Sequence, residues 1–233
     1  MARWSITARA LMAAVAFGVA FEALDASQYG RERDRYPPEW ESDQFRVRRI
    51  ALPAGAGATD PGTADSIVVF LTADLDGRMP PAEAVWQPAG TRSLDNRGRA
   101  RFDAIVIDIK DMGAAVSGGT PTEAIPSTDR IDTWRLIDNP RVLVTKLRYA
   151  PVTALDPMHF HPRDTAVVYL KGGYIWPMVE QSREFYPYAW PFMRGSPSQR
   201  VERGDVDVVP ANTFHSFGNA GGDPLEFLAI FVK

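Results

Sequence analysis

The chain has 233 residues, of which 45% are hydrophobic and 24% charged, with a formal net charge of -3. That is an ordinary globular composition, and it argues against a nucleic-acid binder, which would carry a basic patch or stripe. Cysteine is absent, which excludes disulfides and thiolate ligands, so any bound metal must sit on nitrogen and oxygen.

At the N-terminus, Arg3 and Arg9 precede an apolar run over 10–21 that Glu22 and Asp25 end. Gly18, Ala20, Ala23 and Ala26 offer small residues for cleavage. A positive start, a short apolar centre and small residues read as a secretory signal peptide over residues 1–26. The run is shorter than the ~20 apolar residues of a comfortable membrane span. An uncleaved anchor or an ordinary N-terminal helix are the alternatives. The mature chain is therefore expected in the periplasm or outside the cell, free of the membrane after cleavage. Residues 27–44 read as a polar lead-in.

Beyond that point the sequence says the same thing twice. FRVRRIALPAG (45–55), SIVVFLTADLDG (66–77), VWQPAGTRSLDN (85–96) and FDAIVIDIK (102–110) make up the first half. The second half offers PRVLVTKLRYAPV (140–152), TAVVYLKGG (165–173), DVVPANTFHSFGN (207–219) and EFLAIFVK (226–233) in the same order. β-branched runs, frequent Gly and Pro and the lack of a long helical period predict an all-β chain. The shared order, with a Pro turn at matching places, predicts a duplicated domain. The expected division is one barrel over 45–110, a Gly/Ser/Thr/Pro-rich linker over 111–133 and a second barrel over 134–233. The second half also carries an insertion, 174–203, rich in Tyr, Trp and Phe, which reads equally well as a pocket wall, an interface or a cap.

All three histidines lie in the second half: His159 and His161 in PMHFHP, and His215 after the second Pro turn. On a strand, residues i and i+2 face the same way, so the first two aim into one interior, and a neighbouring antiparallel strand brings the third opposite them. Neutral imidazole ligates Fe, Zn, Cu and Ni. The same parity carries Thr165, Val167 and Tyr169 inward after His161, and Phe217 after His215; with Trp176 these are the candidate pocket residues. Tyr169 is the candidate acid or hydrogen-bond donor.

These spacings resemble the two motifs of the cupin superfamily. The first is Gly, five residues, His-x-His, three or four residues, Glu, six residues, Gly; His159, His161 and Gly172 match, with Thr153 at the leading glycine and Thr165 at the glutamate. The second is Gly, five residues, Pro-x-Gly, two residues, His, three residues, Asn. Gly204, Pro210, His215 and Asn219 match, and Asn212 replaces the central glycine. Asn tolerates the left-handed backbone better than most residues, so the turn survives. The stretch MHFHPRDTAVVYLKGG is also similar to small bacterial cupins named for β-alanine degradation. The resemblance implies two tandem jelly-roll β-barrels, with one divalent metal ion in the second on His159, His161 and His215. Iron is the first choice, with Zn, Cu, Ni or Mn as alternatives.

The missing glutamate matters. Three neutral imidazoles leave the dication charge uncompensated, which favours a small anionic organic ligand. Asp164 is one residue away, and strict alternation points it to the other face unless a bulge intervenes. Aligned on VVFL and VVYL, the first barrel has Asp60 and Gly62 at the first two histidine positions, and the third falls near Ser93; that barrel is expected to lack metal, with a separate ligand pocket as the alternative. Cupins with three-histidine iron sites include thiol and diketone dioxygenases, so an oxygenase is the leading expectation. A non-catalytic ligand-binding cupin and a structural metalloprotein are the rivals, and a homodimer remains open.

Overall fold

The computed structural model describes residues 40–60, 62–73, 75, 80–110, 125–152, 154–180 and 198–233, with the side chains of 178–180 excepted. The signal-peptide segment, Thr153, most of the linker and the 181–197 part of the aromatic insertion lie outside the described residues.

Fifteen strands and no helix make up the described chain. In the first half they are β1 (Trp40–Glu41), β2 (Phe45–Leu52), β3 (Gly57–Asp60), β4 (Ser66–Phe70), β5 (Ala84–Gln87), β6 (Arg92–Asp95) and β7 (Phe102–Ile109). The second half has β8 (Ile131–Asp138), β9 (Val142–Tyr149), β10 (Thr165–Tyr169), β11 (Gly173–Glu180), β12 (Gln199–Val201), β13 (Val206–Val209), β14 (Phe214–Asn219) and β15 (Leu225–Val232). The sheet orders are β1-β2-β7-β4-β5 with β3-β6 in the first half, and β13-β10-β15-β9-β8 with β12-β11-β14 in the second. Read strand by strand, β9-β15-β10-β13 repeats β2-β7-β4-β5. The duplication expected from the sequence is thus present in the topology, and the fold is two tandem antiparallel β-barrels.

Boundaries differ slightly from the expected ones. Trp40–Glu41 pairs with β2, and the Trp40 ring lies 4.9 Å from that of Phe45, so the end of the polar lead-in belongs to the first sheet. Strand β8 starts at Ile131 inside the expected linker and lines the edge of the second sheet. The ends of the insertion are strands: β11 lies between β12 and β14.

Alternation along the strands sorts the apolar residues into three clusters. Val68, Phe70, Phe102, Ala104 and Val106 fill the first barrel. Leu143, Leu147, Val167, Tyr169, Phe227 and Phe231 fill the second. The opposite faces of the same strands, with Ile67, Val69, Ile105, Ile107, Val168 and Ile230 among them, meet in one cluster shared by both barrels. This explains why β4 and β10 read as unbroken apolar runs: both faces of each are covered, and every residue in both is buried. Truncating one such residue, such as Ile230, costs roughly 2–5 kcal/mol, because the cavity left collapses only in part. Polar ties frame the seam. Arg141 reaches Asp65 at 2.7 Å, the Asp164 amide donates to Gln44 Oε1, and Arg49 donates to the Gly204 carbonyl. Gly204 has φ +84°, so the second motif's glycine is needed for its turn, and a Cβ there would push aside the end of the Arg49 side chain.

Candidate metal centre

The segment carrying His159 and His161 runs beside β14. His159 and His215 form an antiparallel bridge, each amide donating to the other's carbonyl at 2.9 and 2.7 Å. The His161 carbonyl accepts from the Asn212 amide, and Asn212 has φ 59°, the left-handed backbone expected where the motif's glycine is replaced. The three imidazoles converge: one ligating nitrogen from each lies within 4.8 Å of the others.

Their protonation follows from their partners. The Nδ1 atoms of His159 and His215 lie 2.7 and 2.8 Å from the carbonyls of Pro157 and Thr213. A carbonyl only accepts, so each Nδ1 carries the proton and each Nε2 presents a lone pair. Burial, followed by the neighbouring charges of His159 and His215, pulls His161 down to about 3. Burial likewise takes His215 down to about 4, against the opposing effect of its bond to Thr213. These two rings are therefore neutral at neutral pH, as ligands must be.

A divalent ion fits this donor set. The Nε2 atoms of His159 and His161 are 3.2 Å apart. Two nitrogens each ~2.1 Å from one ion, at angles between octahedral and tetrahedral, are about 3.0–3.4 Å apart. Thr165 Oγ1, on the inward face of β10, is buried without a hydrogen-bond partner. The three histidines thus form a site able to hold a divalent metal ion.

The other sequence candidates fall in different places. Phe217 joins the centre, its ring 5.5 Å from that of His215. Thr165 is 2% exposed and pairs across the sheet with Phe231, whose ring lies 4.8 Å from that of His161. Val167 is buried one inward position further on. Tyr169 points inward as parity required, but four residues beyond Thr165, roughly 13 Å along the strand. Its hydroxyl donates to Asp207 at 2.8 Å, so its proton is engaged there. Trp176 follows the inward Ile175 and is 39% exposed, so it stands on the outer face of β11 rather than in the pocket. Asp164 stays away from the histidines, because its carboxylate accepts from the Ala211 amide in the Pro turn.

Two residues of the site were missed. Phe231 forms its apolar floor; counting alternate residues back along β15 would have found it. Asp156 is 1% exposed, and burial raises its carboxyl pKa. No spacing rule singles out that aspartate.

The first barrel shows what the duplicated site became. Asp60 pairs with Arg92 as His159 pairs with His215, and the Gly90 amide donates to the Gly62 carbonyl as that of Asn212 does to His161. Arg92, one residue before the expected Ser93, is thus the counterpart of His215. Asp60 accepts from Arg48 at 2.9 Å and Arg92 at 3.3 Å, while Arg48 grips Asp108 through two nitrogens. Burial opposes the charge on Asp60, yet the two guanidiniums hold its pKa below the ordinary value. Gly62 has φ +52°, and a Cβ there would lie 2.0 Å from the Gly90 carbonyl oxygen, so no side chain fits at the His161 position. A small cavity beside this pair, about 160 Å³, is bounded by Phe70, Leu94 and Phe102.

Residues 136–233 match the family model described as Cupin. No curated protein matches the chain. Among solved structures, the chain is similar to a Cupin 2 conserved barrel domain protein from Leptotrichia buccalis (15% identity, TM-score 0.51), covering 83% of this chain and 86% of that one. It is also similar to a putative glyoxylate-induced protein from Pseudomonas aeruginosa, at 15% identity and TM-score 0.58, over 84% and 78% of the two chains. A third likeness is to Bacillus subtilis oxalate decarboxylase, in a study of its Mn(II) centres, at 14% identity and TM-score 0.54, over 82% and 69%.

Proposed function

From a chain whose residues 136–233 match the cupin family model and whose described residues fold as two cupin-like barrels, we propose an exported metal-dependent oxygenase acting on a small anionic organic compound. The observation that carries this reading is the convergence of three imidazoles, two of them locked by backbone carbonyls, with no carboxylate joining them among the described residues. A divalent metal held there, iron in this proposal, would supply dioxygen activation and a cationic anchor for an anionic substrate group. His159, His161 and His215 hold and orient it. Phe217 and Phe231 keep the inner side apolar and exclude water, which strengthens electrostatic attraction inside. In this reading Thr165, whose hydroxyl is buried without a partner, hydrogen-bonds the ligand. Export rests on the N-terminal pattern alone.

A second reading is a non-catalytic cupin that captures a small anion through the metal. It is favoured by the commitment of the inward hydroxyls: Tyr149 donates to Asp156 and Tyr169 to Asp207, so neither is free to move a proton at the metal. Elemental analysis of untagged protein, followed by oxygen-uptake screening with small acids, thiols and diketones, separates the two. Uptake with one class supports the oxygenase. Bound metal with no turnover of any class supports capture.

A further inference from the structure

The two copies of the barrel differ beside the site in one respect that the histidines do not explain. In the first barrel, Gly57 pairs with Asp95 and Asp60 with Arg92, three residues on for each strand. In the second, Leu155 pairs with Gly218 and His159 with His215, so one side advances four residues and the other three. The histidine segment therefore holds one residue more, a bulge of the kind that re-aims side chains next to functional sites.

Asp156 lies in that bulge. Its carboxylate Oδ1 accepts from Ser216 Oγ at 2.7 Å and the Phe217 amide at 2.6 Å, and Oδ2 accepts from Tyr149 Oη at 2.9 Å. Its own amide donates to the Phe217 carbonyl, and its carbonyl accepts from Ser216 Oγ. Ser216 and Phe217 are the two residues after His215. The carboxylate thus ties the segment bearing His159 to the strand bearing His215. In the first barrel the place of Tyr149 is taken by Leu52 and that of Phe217 by Leu94, and the bulge is absent. The buried carboxylate with its tyrosine donor accompanies the histidines and is missing where they are missing. A buried carboxylate is costly to keep charged unless something nearby favours the charge. A cation held by His159 would favour the ionised form of Asp156, three residues before it on the same segment.

Resting on the reading of the three histidines as a metal site, we propose that Asp156 is the charge partner and positioning residue of that metal. It supplies, from the layer behind the ligands, the negative charge that the family's glutamate would supply at Thr165. The bulge and Tyr149 exist to hold it there.

Co(II) titration of the metal-free full chain, followed by azide titration of the Co(II)-loaded protein, tests this through absorbance. Asp156→Asn keeps the shape and an acceptor for Ser216 and Phe217 but removes the charge. Its Co(II) affinity should fall about 10- to 100-fold. Its azide affinity should rise, because less of the ion's charge is offset. A merely structural defect would weaken both, and that result would overturn the proposal, as would unchanged affinities. If wild-type protein fails to bind Co(II), the metal site itself is lost and this inference with it; normal binding in both proteins sinks only the inference. Should Asp156→Asn not fold, Tyr149→Phe carries the test, since it removes one donor from the carboxylate. The same opposed pair of changes, smaller in size, is expected, and no change in either affinity overturns the proposal.

Discussion

Asn96 and Asn219 tie the same knot in the two barrels. The Nδ2 of Asn96 donates to the carbonyls of Leu52, Pro53 and Ala100, and its Oδ1 accepts from the Gly98 amide. Asn219 donates to Tyr149, Ala150 and Asp223 and accepts from Gly221. Counting back four residues from each asparagine gives Arg92 and His215, which is how the register of the lost and the kept sites is aligned.

Because Asn96 and Asn219 are almost wholly buried, alanine at either leaves several buried carbonyls unpaired. Asn219→Ala and Asn96→Ala should each lower stability by about 2–4 kcal/mol, from the lost bonds and the stranded acceptors. Urea unfolding midpoints measure it. A change under about 0.5 kcal/mol in either variant would show that water replaces the amide at no cost, against this expectation.

His159→Ala, His161→Ala and His215→Ala should each remove most bound divalent metal, since two nitrogens hold an ion far less tightly than three. The barrel should persist, because its interior is an apolar cluster that does not depend on the ion. Metal content by elemental analysis, alongside circular dichroism, gives the answer; full occupancy in any one variant removes that histidine from the ligand set.

Thr165→Glu places a carboxylate where the cupin motif has one, at a buried position with an unpartnered hydroxyl. Metal affinity should rise and azide binding to the loaded protein should weaken, because one open position and one unit of positive charge are lost. The metal-free variant should be less stable, since an unpaired buried carboxylate is expensive to desolvate. Unchanged metal and azide binding would mean that residue 165 does not reach the ion.

Acid should destabilise the metal-free protein through His161 and His215. Their folded pKa values, about 3 and about 4, lie below the ordinary 6.5. Between those limits the unfolded chain binds more protons, so stability rises with pH. This contribution is complete above about pH 6.5 and is lost as the pH falls through the folded values. Asp156, raised by burial, acts in the opposite sense above its ordinary 3.8, so the comparison of wild type with His161→Gln isolates the histidine effect. Between pH 7 and 5 the melting temperature of wild type should fall more steeply than that of the variant. Parallel curves would contradict the assignment.

Export predicts a mature N-terminus between Ala20 and Ser27 in a fraction outside the cytoplasm. N-terminal sequencing of native protein decides it, and an intact Met1 or Ala2 in the cytoplasmic fraction would refute export.

Much of this protein is legible in its sequence, for local reasons. Strand alternation and Pro turns revealed the repeat, because side-chain period and turn chemistry are properties of a few consecutive residues. The His-x-His pair and the distant His215 were legible because a ligand set is a matter of residue type and spacing. Parity also placed Tyr169 and Val167 inward, but parity gives a face, not a depth. Only the folded chain decided that the Tyr169 hydroxyl is spent on Asp207, and that Trp176 stands outside. The two-sided burial of β4 and β10 likewise came from the packing of one barrel on the other, which no strand encodes alone. Register was the other unknown. A one-residue shortening moved Arg92 into the place of His215, and a one-residue bulge turned Asp156 onto the strand behind the histidines. Such shifts change which side chain faces which while leaving the hydrophobic pattern almost intact, so they are settled by long-range hydrogen bonds between strands.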